Sequence, residues 1–132
     1  MPNFADKWLA TLYPGNCAEL VRDVLREDFS KDFQLQQFNG DKFLDELATA
    51  QVRAIVAGYA DAAKFVNDPF DGDIVLLQHR DQSWHVGVYV LAGVGHCLHL
   101  MTRNGKVSCT AIYRLAAYGY RVDGIYRVEN VL

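Results

Sequence analysis

The apolar positions change period once along the chain. In the segment after residue 15 they fall at Leu20, Val21, Val24 and Leu25, one stripe of a helix. Glu19, Arg22, Asp23, Arg26 and Glu27 occupy the rest of its surface. Asn16 stands at the position of the cap, and Glu19 three residues later completes the Asn form of a capping box. The turn YPGN precedes it, and a shorter helix is predicted around FADKWLATL within residues 1–12. SKDFQLQQFNGD reads as irregular or weakly extended. Residues 41–67 carry helical spacing again, divisible at Gly58, until DPFDG breaks it.

From Asp73 the period is two. DIVLLQ is a short strand. WHVGVYVL and HCLHLMT form a hairpin around AGVG, and RNGK holds an Asn-Gly turn signal. VSCTAIY reads as a further strand, RLAAYGY is ambiguous, and VDGIYRV is the last strand. Helices first and strands afterwards predict an α+β fold, with N-terminal helices packed on an antiparallel meander.

Length and composition narrow this picture. The 132 residues suit one domain spanning 1–132, and 51% apolar residues argue against disorder. A net charge of −3 lacks the basic excess of a nucleic-acid binder. The apolar runs IVLL and VGVYVLAGVG are too short to span a bilayer, so no membrane insertion is expected. The first residues lack the basic start and apolar run of a signal peptide, which predicts synthesis in the cytoplasm without one. Cys17, Cys97 and Cys109 are odd in number and widely spaced, without CxxC. That argues against a disulfide framework and a structural zinc site, and no cofactor or metal is expected.

The candidate chemistry starts at Cys17. As the first residue after the Asn16 cap, it sits where the positive end of a helix dipole favours a thiolate. Leu20 and Val21, three and four residues on, turn it toward the packed side. His85 is the candidate base. His85, Gly87 and Tyr89 share one strand face, and Trp84, Val86, Val88 and Val90 the other. Gly87 is expected to leave room for the helix end to approach the sheet. A third residue should orient the imidazole. With the hairpin centred near Gly93, Gly87 lies opposite His99, which becomes the diagonal neighbour of His85. A slip of one residue would put His96 there instead. Cys97 shares the His85 face and reads as a filler thiol, while Asp71 and Asp73 read as turn or cap residues.

NCAELVRDVLRE, DGDIVLLQ, WHVGVYV and CLHLM together resemble the NlpC family of papain-like cysteine peptidases. The likeness runs from about Trp8 to the C-terminus and is nearest to the short members found among phage tail-assembly proteins. It implies a papain-like α+β fold and a Cys-His-His triad: Cys17 as nucleophile, His85 as base and His99, rather than His96, as third residue. It also implies hydrolysis of amide bonds in peptidoglycan stem peptides, commonly between D-Glu and a diamino acid, without a metal. The peptidoglycan stem peptide would be the substrate and phage tail proteins the partners, the protein being virion-associated and acting on the periplasmic cell wall. The chain departs from the pattern after the cysteine, where Ala18-Glu19 replaces a small or aromatic residue and Gly. It also offers only Tyr13, four residues upstream, where the family often has a Tyr about a dozen residues before the cysteine. Two alternatives stand beside this reading: a catalytically weak structural or assembly protein of a phage tail, and another thiol hydrolase or acyltransferase.

Overall fold

The computed structural model describes residues 3–9, 12–32, 63–65, 67–80, 84–101 and 105–128. The helical spacing over 41–62 and the irregular segment from residue 33 lie outside them. The first helix, α1, is a single turn over Asp6–Leu9, shorter than the FADKWLATL spacing predicts. Helix α2 spans Cys17–Phe29 and carries both halves of the expected capping box. The Glu19 N–H donates to Asn16 Oδ1 at 2.8 Å, and the Asn16 N–H donates to Glu19 Oε1 at 3.0 Å. Two of the orphan donors at the helix start are thereby satisfied. The helix ends at Ser30, whose left-handed backbone (φ 51°) stops the ladder.

Six strands follow: β1 Ala63–Phe65, β2 Ile74–His79, β3 Trp84–Ala92, β4 Val94–Met101, β5 Lys106–Ala111 and β6 Tyr120–Val128. They form one sheet in the order β1-β6-β2-β3-β4-β5, and all their pairings are antiparallel. The fold is therefore α+β, with two corrections to the expectation. Only β2 to β5 form a meander. After a 3-10 helix over Ile112–Tyr118, β6 crosses back to pair with β2. The helical spacing also fails at its end, because residues 63–65 pair with β6 as strand β1. An open strand edge offering ladder partners outweighs local helix preference.

The β3–β4 hairpin turns at Gly93 alone (φ 75°), with Ala92 paired to Val94 and Val88 to Leu98. Most of AGVG is thus strand. This is the register centred on Gly93. In β6 the pairing with β2 skips Asp123, so one extra residue bulges opposite Leu76 and Leu77.

Alternation divides the apolar residues into two core layers. Ile74, Leu76, Trp84, Val86, Val88, Val90, Leu98, Leu100 and Val107 pack with Leu20, Val21, Val24 and Leu25 of α2. The four stripe residues of α2 are fully buried, each contributing on the order of 1.5–3 kcal/mol. On the opposite face, Val75, Leu77, Tyr89 and Cys97 pack with Leu115 of the 3-10 helix. Asp73, wholly buried before β2, receives the Arg127 guanidinium at 3.0 and 2.9 Å and the Phe70 N–H at 2.7 Å. Asp71 accepts from the Leu91 N–H. Both acids hold the entry to the sheet, as turn and cap residues do.

Candidate active site

The helix start lies at one identifiable end of the sheet. The Tyr13 N–H donates to the Gly105 carbonyl at 2.9 Å, and Leu12 bridges Lys106, the residue paired with Met101 at the end of β4. Continuing the β3–β4 register puts Met101 beside His85, which is itself paired with Leu77 near the end of β2. At the other end of α2, Phe29 lies against Gly72, near the Tyr89 end of β3. Helix α2 therefore runs along β3 and brings Cys17 to the end of the sheet where β3 begins.

Cys17 is half-buried and packs against the helix-side core layer. It is the first residue of α2, directly after the cap. Tyr13 is committed elsewhere. Its hydroxyl donates to Asp23 Oδ2, and burial together with that carboxylate raises its pKa.

His85 and His99 come together on the opposite face. Both rings meet the Tyr120 ring edge-on, with centroids 5.4 Å away for His85 and 5.7 Å for His99. His99 is only 3% exposed, and its Nε2 is hydrogen-bonded to Thr110 Oγ1 at 2.9 Å. Burial, and then the charge on His85, push the His99 pKa down to about 4. His99 is thus a neutral imidazole at neutral pH, next to His85 on the same surface. His96 lies on the other side of β4 with its Nδ1 2.8 Å from the Val94 carbonyl oxygen, so the observed register brings His99, not His96, beside His85.

The room expected at Gly87 is taken by the neighbouring strand rather than by a helix end. A Cβ there would lie 2.4 Å from Cys97 Sγ, 2.7 Å from the Leu98 carbonyl oxygen and 3.3 Å from the His99 Cβ. Gly87 is needed because β4 presses its sulfur and backbone against β3. Cys97 is fully buried, and its pKa is raised, first by burial and then by Cys109. It behaves as the filler thiol expected. The apolar stripe of α2 chose the face made by Trp84, Val86 and Val88, because that is where most apolar area can be buried. The histidines are left on the face covered by the 3-10 helix.

Three participants on the histidine face were not singled out from sequence. Tyr120 sits at the centre of the ring cluster, His79 stacks edge-on against it at 4.9 Å, and Thr110 holds His99. Thr110 had a signal: the RNGK hairpin signal implied that β4 pairs with β5, and the observed pairing sets Thr110 across from Cys97, diagonal to His99. Tyr120 had none, because its position depends on the crossover of β6. A cavity of about 330 Å³ opens at this same end of the sheet, lined by Gln78, His79, Arg80, Ala116, Gly119, Tyr120 and Arg121. It draws on both faces: His79 and Tyr120 belong to the histidine side, Gln78 and Arg121 to the alternate positions.

Among the described residues, no group of three or more His, Cys, Asp or Glu is arranged to hold a metal ion. No helix among them is long and apolar enough to cross a membrane. No protein-family model matches the chain, and no curated protein matches it either.

Proposed function

We propose that the chain is a cysteine peptidase or amidase on an NlpC-type, papain-like scaffold, hydrolysing amide bonds in peptidoglycan stem peptides in a phage-tail setting. The observation that supports this is the coincidence, at one end of the sheet, of a cysteine opening a capped helix and a pair of adjoining histidines. In this reading Cys17 attacks the carbonyl carbon as a thiolate, favoured by the helix start. His85 takes the thiol proton and passes it to the leaving amine. His99 is the positioning residue, its neutral ring fixed by Thr110 and set beside His85. The backbone N–H of Cys17 would face the oxyanion. In this reading the thiol and the imidazole meet at the end of the sheet where β3 begins, at Trp84 and His85.

The Ala18-Glu19 pair after Cys17, with Glu19 engaged in the helix cap, favours a second reading: a catalytically weak structural or assembly protein of a phage tail on the same scaffold. Purified wild type and Cys17→Ala, incubated with cell-wall sacculi, separate the two. Release of muropeptide fragments by wild type alone is expected of the hydrolase, and equal release sinks it. A pH profile of Cys17 alkylation gives an independent check. A thiol pKa well below 8.5 that rises in His85→Ala supports the catalytic pairing, and a free-thiol value unmoved by His85→Ala supports the assembly protein.

A further inference from the structure

The 330 Å³ cavity at the end of the sheet is electrostatically one-sided. Two arginines and a histidine line it, and among the described residues no Asp or Glu does, although the whole chain carries a net charge of −3. Among the described residues, neither Arg80 nor Arg121 is in an ion pair. Arg121 donates through Nη2 to the neutral Gln78 Oε1, which fixes the guanidinium without neutralising it. Arg80 is anchored by its backbone, whose N–H donates to the Gly119 carbonyl at 2.8 Å. Its side chain lies over Gly119, where a Cβ would come within 3.0 Å of Arg80 Nε and 2.9 Å of His79 Nε2. Gly119 adopts φ +88°, so both its conformation and its missing side chain hold this wall open. His79 turns its Nε2 to the Tyr118 carbonyl oxygen at 3.2 Å. The cavity adjoins the candidate base, since His79 and Tyr120 both line it, with ring centroids 6.4 and 5.4 Å from His85.

We infer that this cavity binds a carboxylate of an acidic peptide, held by the guanidinium groups of Arg80 and Arg121, and so presents the neighbouring amide to His85. Guanidinium forks match planar carboxylates, and a recess strengthens the field of unneutralised charges. The presentation to His85 rests on the hydrolase reading above; the carboxylate site itself does not.

The test uses Cys17→Ala protein, so that turnover does not intrude, and calorimetric titration with the tripeptide L-Ala-γ-D-Glu-diaminopimelate. The comparison ligand is the same peptide with its carboxylates converted to amides. The acidic form should bind about tenfold more tightly. Adding Arg80→Ala, at an exposed position that leaves the core untouched, should abolish most of that preference, and Arg80→Lys should restore part of it. Equal affinity for the acid and amide forms, or a preference unchanged by Arg80→Ala and Arg121→Gln together, overturns the assignment. Inorganic phosphate competing over the same concentration range as the peptide overturns it too, in favour of a general oxyanion pocket. If sacculi are not cleaved but the arginine-dependent preference holds, the hydrolase reading falls and the carboxylate site stands. If Cys17-dependent cleavage is found with no such preference, the carboxylate site falls alone.

Discussion

Acidification should unfold this protein through His99 in a way that can be isolated. The ring is 3% exposed, and burial and the neighbouring charge of His85 bring its pKa from 6.5 down to about 4. The unfolded chain takes up this proton near pH 6.5, the folded chain only near pH 4. Between those values the unfolded state binds more protons, so stability falls as pH falls. Above about pH 7 and below about pH 4, His99 contributes no slope. Across the window the loss accumulates to about 3 kcal/mol, approaching 1.4 kcal/mol per pH unit at its steepest. The assay is urea unfolding from pH 7.5 to 4 for wild type and His99→Gln. The substitution carries its own constant cost from the lost Thr110 bond and altered packing, but it also removes the slope. The wild-type-minus-variant difference should therefore shrink on acidification, while the carboxylates and other histidines common to both largely cancel. A difference curve flat to within about 0.5 kcal/mol would refute the reasoning, as would a His99 ring titrating near 6.5 by NMR. In His85→Ala, the His99 pKa should rise only part of the way, since burial, its larger cause, remains.

Two further predictions concern the frame that carries the site. Gly87→Ala drives a Cβ against Cys97 Sγ and the Leu98 carbonyl, and should cost about 2–3 kcal/mol, seen as a melting temperature lower by roughly 5–10 °C. Adding Cys97→Ala should recover only part of this because the backbone contact remains; a Gly87→Ala variant as stable as wild type contradicts it. Arg127→Met leaves the buried Asp73 carboxylate without its guanidinium and should cost about 3 kcal/mol in chemical denaturation, partly restored by Asp73→Asn in the same chain. Equal stability of Arg127→Met and wild type would show that the pair is not needed.

Much of this architecture could be read before folding was considered. The start of α2, its cap and the four buried residues of its apolar stripe follow from local rules: hydrogen bonds between neighbours, and an apolar period that a helix must bury. The hairpin register followed from a turn at Gly93, and it carried the nearness of His85 and His99. The return of β6 to β2, and with it the position of Tyr120 among the histidines, was not legible. It depends on which strand edge remains open after the meander forms. Strand β1 was hidden for the same reason, its helical spacing giving way to a ladder partner more than 60 residues away.

The limit of sequence reasoning shows most clearly at Cys17 and Gly87. Alternation gave β3 two faces, and the chain alone placed Cys17 at a helix start and, for a hairpin centred on Gly93, His85 and His99 on one of those faces. It did not establish which face receives the helix. That choice belongs to the whole assembly: α2 covers the Trp84, Val86 and Val88 side, where the most apolar surface leaves water, and β4 fills the space at Gly87. Local patterns fix what each element is and which residues it offers. Only the competition between faces for buried area decides what those residues meet.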